Sequence, residues 1–190
     1  MPKSPPTPTT SSRGTRGRPS AVQAEIRQGT PFRSLAQEAT VALLRTASVV
    51  SRAVARVVEP SGLSLAQYNA LRIVRGAGAA GIPTLAIRER MIEEGTTITR
   101  LLDKLEEGGL IRRERSLPDR RQVICYATDA GKRLLNQLDP RVDESDERAM
   151  AALDDEQLEE LVATLDAIRA ANAERGAARS APSRRPVGSR

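Results

Sequence analysis

Between residues 96 and 121 the chain carries threonines and arginines at spacings suited to a nucleic acid. Ile98, Leu101, Leu102 and Leu105 recur at the intervals of one helix face, so they form the core stripe of an amphipathic helix. The opposite face then presents Thr96, Thr97, Thr99, Arg100, Asp103 and Lys104. Threonine hydroxyls bond phosphates or base edges, and their methyls touch thymine. An arginine can chelate guanine O6 and N7 with two donors. The free amides of the first helical turn add a preference for phosphate. Gly108 and Gly109 supply the left-handed residue that stops the helix.

A hairpin follows. Leu110–Arg115 and Gln122–Ala127 have strand-like composition, and Ser116–Arg121 forms the tip with Pro118, Asp119, Arg120 and Arg121. Arginines at an exposed tip can follow the sugar-phosphate backbone or enter the minor groove, whose potential is negative. Asp119 has the wrong sign for that surface. Its expected role is to pair with Arg121 and fix the direction of the guanidinium. Arg112, Arg113 and Arg115 are expected to add basic character at the hairpin base. A Thr/Arg helix alone is usually a solvated surface helix, and Asp-Arg-Arg alone a solvated turn. The order helix, turn, helix, basic hairpin is far more specific.

Other chemistries find few residues. There is no His, which removes a His-based nucleophilic relay and weakens any transition-metal site. The one cysteine, Cys125, lies between Ile124 and Tyr126 and reads as a small buried hydrophobe rather than a redox sensor. No disulfide framework is possible, which suits a reducing, cytoplasmic setting. No metal, no cofactor and no catalytic residue is expected, and the chain reads as not an enzyme. No run approaches the roughly 20 apolar residues of a membrane span.

The net charge of +6 is unevenly placed. Residues 1–20 hold four basic residues and no acid, and residues 175–190 hold five Arg and no acid. Residues 139–174 carry 12 acids against 3 Arg. The basic character of the folded part therefore lies before residue 139, so the binding surface and the acidic C-terminal helices have separate tasks.

The elements that must position these groups are mostly helical. Hydrophobic residues make up 39% but aromatics only 2%, so the core is built from Leu, Val, Ile and Ala. Residues 32–58 read as one long helix with Ala36, Leu43, Ala47, Val50, Val54 and Val57 on a stripe of near-heptad spacing. Residues 64–75 follow with Ser64 as N-cap and Leu65, Tyr68 and Leu71 inward, then a Gly76–Gly81 loop. A short helix runs from Pro83–Thr84 to Met91. Residues 128–150 open on a Thr128/Asp129 cap, and Pro140 is expected to kink or split that helix. A last helix covers 154–173, with Leu158, Leu161, Val162, Leu165 and Ile168 on one face.

The stretches LSLAQYNALRIVRGAG, TITRLLDKLEEGGLIRRERS and PDRRQVICYATDAGKRLL resemble the MarR family of winged helix-turn-helix regulators. The most specific element is the Asp-x-Arg wing with a Thr-x-x-Gly helix start, here Asp119, Arg121, Thr128 and Gly131. The resemblance covers roughly residues 32–170. It implies a mainly α fold with a small β-hairpin wing: a winged helix-turn-helix lobe plus N- and C-terminal dimerisation helices. It implies a homodimer that binds double-stranded DNA at a palindromic operator, usually as a repressor, with a possible small-molecule effector. By position the contacts fall on Thr96, Thr97, Thr99, Arg100 and Lys104 in the recognition helix and on Asp119, Arg120 and Arg121 in the wing. Effector-binding residues are not indicated. The chain departs from the family in TLAIRERM, which lacks the commoner Glu-Leu-Ala run, and in Glu93 and Glu94 before the recognition helix. It also lacks the cysteine with which oxidant-sensing members begin the first long helix.

The expected organisation is a disordered basic tail over 1–20, a dimerisation helix within 21–62 and a DNA-binding lobe over 63–128. C-terminal dimerisation helices over 129–174 and a second basic tail over 175–190 complete it. Two other classes fit the same residues: an architectural protein that binds duplex by charge alone, and a protein-interaction module of anti-repressor type.

Overall fold

The computed structural model describes residues 21–92, 97–116 and 121–180, with backbone alone for 175–180. The chain divides into two compact units, residues 1–49 and 50–190.

In the first unit, helix α1 (Ala21–Glu25) is followed by a turn in which Arg27 takes a positive φ of 54°. The Gln23 side-chain amide donates to Gln28 O at 3.2 Å across the turn. Arg45, on helix α2 (Leu35–Val58), pairs with Glu25 of α1. The long helix expected from residue 32 thus starts at Leu35. Ser34 stands just before it, its hydroxyl accepting from Gln37 N at 3.1 Å.

The second unit holds the core. Helix α3 (Leu65–Gly76) opens on the expected cap. Ser64 Oγ accepts from Gln67 N at 3.2 Å, while Gln67 Oε1 accepts from Ser64 N at 2.8 Å. That reciprocal pair satisfies two amides that no helical carbonyl can reach. Tyr68, Leu71 and Val74 of α3 are buried with Ile87 of helix α4 (Thr84–Arg90) and with Leu101, Leu102 and Leu105 of helix α5 (Ile98–Glu107). Arg72 lies outside the core, with its guanidinium 5.6 Å from the centre of the Tyr68 ring.

Between α3 and α4 lies strand β1 (Ile82–Pro83), where the sequence suggests only the junction between the Gly76–Gly81 loop and a helix opening at Pro83–Thr84. It pairs antiparallel with β3 (Val123–Ala127), which in turn pairs with β2 (Ile111–Arg115). The expected hairpin is therefore part of a three-stranded sheet with β3 in the middle. Ile82 and Arg113 both stand opposite Cys125. A two-residue strand ending in proline has no alternation to read, and Pro83 can sit there only at a strand end.

Helix α6 (Asp129–Met150) is capped by Thr128, whose Oγ1 accepts from Gly131 N at 3.1 Å. It runs unbroken through Pro140, so the helix is not split there. Pro140 has no N–H to donate to the Asn136 carbonyl, and both residues are exposed on the outer side of the helix. Leu135, Leu138 and Val142 bury its inner face. Arg75 of α3 pairs with Asp139 at 2.7 Å and fixes α6 against the lobe.

The last helix, α7 (Asp155–Ser180), extends past the expected end at 173, so residues 175–180, assigned to a tail, are helical. Ala, Glu and Arg, good helix formers, make up most of residues 169–179. No helix among the described residues is long and apolar enough to cross a membrane.

Candidate nucleic-acid interface

Helix α5 is held from beneath by Leu101, Leu102 and Leu105, all buried, with Ile98 half-buried at its start. Thr97, Thr99, Arg100 and Lys104 are exposed on its other side, and Asp103 is half-buried at the flank. The amphipathic reading of this helix therefore holds at each of these positions. Thr96, Asp119 and Arg120 lie outside the described residues, as do Glu93, Glu94 and Pro118. The expected Asp119–Arg121 pairing falls there too. Arg121 is exposed just before β3.

The helix stops in a tight reversal. Gly109 takes the left-handed conformation at φ 67°, while Gly108 remains right-handed. Leu110 N donates to Leu105 O at 2.9 Å and Gly109 N to Glu106 O at 2.8 Å, the paired bonds that close a helix at glycine. The reversal delivers the chain directly into β2. The start of α6 is fastened to the same turn. Thr128 N donates to Leu110 O at 3.0 Å, and Thr128 Oγ1 donates to Gly109 O at 2.6 Å. Gly131 lies so close to the Leu110 carbonyl that a Cβ there would overlap it. The Thr-x-x-Gly sequence thus joins α5, β2 and α6 at one point.

The wing arginines divide by strand alternation. Arg112 lays its guanidinium 4.0 Å from the centre of the Tyr126 ring and pairs with Glu114. Arg113 turns toward α5. Its Nε donates to Glu106 Oε2 at 2.8 Å, its Nη2 to Asp103 Oδ1 at 2.7 Å, and its backbone N to Glu106 Oε1 at 2.9 Å. The Arg113 hydrogen bonds hold the Glu106 carboxyl below its usual range, and the same bonds push the Arg113 guanidinium up. Arg113 therefore adds no free positive charge at the hairpin base, a correction to the sequence reading. The carboxylates that occupy it are seven and ten residues away, beyond the span over which a helix or turn pattern is legible. Arg115 is exposed at the end of β2.

Thr99, Arg113, Arg121 and Gln122 line one half-open cleft of about 650 Å³ together with Thr84, Leu85 and Arg88 of α4. The exposed flank of α5 and the end of the wing thus border a common space. Cys125 is fully buried within the sheet, 3.9 Å from Thr84 Oγ1, and burial pushes its thiol up. That is the inert small-hydrophobe role expected of it. Among the described residues no cluster of His, Cys, Asp and Glu could hold a metal.

Residues 63–123, from the approach to α3 through the wing, match the family model described as MarR family. The solved structure of a MarR transcription factor from Planctomyces limnophilus is 36% identical, with a TM-score of 0.56 over 72% of this chain and 98% of that one. The chain belongs to the MarR family. Its lobe is the family's winged helix, and the reading as a regulator rather than an enzyme stands with it. The HTH-type transcriptional regulator TtmR of Methylorubrum extorquens (strain PA1) is 31% identical over 106 residues, 56% of this chain and 53% of TtmR. The chain thus spans about half the length of that curated relative. CouR from Rhodococcus jostii RHA1, solved bound to p-coumaroyl-CoA, is 28% identical, with a TM-score of 0.62 over 72% of this chain and 95% of CouR.

Proposed function

We propose that this MarR-family chain is a cytoplasmic, sequence-specific DNA-binding regulator that acts as a homodimer on a palindromic operator, in the manner of a repressor. The observation that carries the reading is the shared cleft: Thr99 of α5 and Arg121 of the wing face one space, with Arg100 and Lys104 exposed beside it. Thr96–Lys104 would enter the major groove, and the 119–121 tip, with Asp119, Arg120 and Arg121, would lie at the neighbouring minor groove. Two-fold symmetry would set the half-sites about 10 base pairs apart. Arg100→Ala is expected to weaken binding and relax base preference. Arg121→Ala should weaken binding to all duplexes alike. Gel shifts on palindromic and scrambled duplexes at matched salt check both, and an unchanged affinity in both variants would remove this surface from DNA recognition.

The homodimer reading rests on apolar side chains left uncovered within the chain. On α7, Val162 and Ile168 are exposed at 57% and 43%, alongside half-buried Leu158, Leu161 and Leu165. On α2, Leu35 and Leu44 are exposed at 80% and 65%. Helix faces of this kind are covered by a partner in oligomers. Leu161→Glu with Leu165→Glu should convert a dimer to a monomer in sedimentation, and a dimer unchanged by that pair would place the interface elsewhere. A small-molecule effector fits the reading. CouR is solved with p-coumaroyl-CoA, and a ligand-responsive regulator needs only a differential affinity between two states of the dimer.

A further inference from the structure

Arg113 stands mid-strand in β2, opposite Cys125, and is the point where the wing grips the recognition helix. Its guanidinium reaches two acids one turn apart on α5. Nη2 lies 2.6 Å from Glu106 Oε2 and 2.7 Å from Asp103 Oδ1, while Nε and the backbone N complete the fork on Glu106. The Arg113 side chain is 24% exposed, so these bonds are only partly screened by water. Thr99 continues the Asp103–Glu106 stripe one turn earlier, at helical spacing. It lines the same cleft as Arg113 and Arg121.

A helix seated on Leu101, Leu102 and Leu105 is fixed in depth, but its roll is held by whatever grips its flanks. A roll of about 10° at a side-chain radius of about 6 Å moves a side-chain tip by about 1 Å. Recognition geometry tolerates about half of that. Among the described residues, the wing-side flank is the one with a charged fork that reaches into another element. The two carboxylates would also repel phosphate if left unneutralised, so one guanidinium serves both ends.

We propose that Arg113 is a positioning residue for sequence discrimination: its fork on Asp103 and Glu106 sets the roll of the recognition helix relative to the wing, without contact to DNA. The proposal rests on the reading of α5 and the wing as the DNA surface. Arg113→Lys keeps the charge and loses the fork.

The test uses a duplex selected by the wild-type full chain from a randomised pool, and a scrambled duplex of the same length and salt. Arg113→Lys is expected to lose about tenfold on the selected duplex and less than about threefold on the scrambled one, with its thermal midpoint near wild type. An equal loss on both duplexes, or no loss on either, overturns the proposal. Arg100→Ala separates the two levels. If it too leaves the selected-duplex affinity unchanged, the DNA surface is misassigned. If it loses affinity while Arg113→Lys does not, only the positioning role fails. Should Arg113→Lys not melt cooperatively, Glu106→Gln carries the same expectation. It leaves an amide oxygen for the Arg113 backbone N–H while removing the charge from the fork.

Discussion

Gly131→Ala is the substitution in this chain whose cost the geometry sets most directly. In a helix interior alanine is favoured over glycine by about 1 kcal/mol, so propensity alone predicts a stabler protein. The structure predicts the reverse. A Cβ at 131 would overlap the Leu110 carbonyl oxygen, stand 3.1 Å from its carbon and meet Leu71 Cδ1 at 3.2 Å. Two of those three atoms are backbone, held by the reversal after α5, so they cannot swing aside. Relief requires the first turn of α6 to lift. That lift strains the Thr128 N–Leu110 O bond at 3.0 Å and the Thr128 Oγ1–Gly109 O bond at 2.6 Å. Overpacking costs about 1–3 kcal/mol, and a weakened hydrogen bond adds about 1 kcal/mol. Set against the propensity gain, a net loss of about 2 kcal/mol is expected. For a folded body of this size that is a fall of roughly 4–8 °C in midpoint. Urea unfolding followed by far-UV circular dichroism measures it, at one fixed protein concentration because oligomer stability depends on concentration. Two glycines calibrate the scale. Gly76→Ala meets nothing within 4 Å and should lie near wild type, while Gly109→Ala meets nothing either but must hold φ 67°, at a cost of about 1 kcal/mol. A Gly131→Ala protein as stable as wild type, or less affected than Gly109→Ala, would refute the close-approach reasoning.

Two more outcomes follow from the sheet and the fork. Cys125 is fully buried and its thiol is pushed up by desolvation, so the native chain should resist alkylation. Labelling should proceed at the rate of unfolding, and rapid labelling in the absence of denaturant would contradict its place in β3. The Glu106 carboxyl is held below the usual carboxylate range by Arg113, so its stabilising contribution is full above the unfolded-state value. It disappears as the pH falls through the lowered folded-state value. Wild type should therefore exceed Glu106→Gln in urea midpoint at neutral pH and converge with it under acid conditions. A gap that persists unchanged into acid would show that the pair contributes nothing through its charge.

What the sequence determined by itself was local. The leucines of α5 recur at one-turn spacing, so its buried and exposed faces follow from periodicity. Ser64 and Thr128 cap helices through bonds to residues three positions on, and Gly109 closes α5 through bonds that reach no further than one turn. Such signals lie within a short window of chain, so composition and order carry them. The family resemblance drew on the same windows, and so the winged-helix lobe was legible.

Tertiary structure decided the rest, because the decisive partners are distant in sequence or depend on which side of a strand faces a helix. Alternation separates Arg112 from Arg113, but only the position of α5 turns Arg113 into a carboxylate-bound fork instead of a free cation. Strand β1 exists because β3 offers Ile82 and Pro83 an edge to pair with at Cys125 and Ile124, not because Ile82–Pro83 has a strand pattern. Pro140 leaves α6 whole on an exposed part of its surface, with Asn136 exposed beside it, and which side of a helix is exposed is a tertiary fact. Gly131, visible in the sequence only as part of a motif, acquires its reason from the Leu110 carbonyl pressed against it.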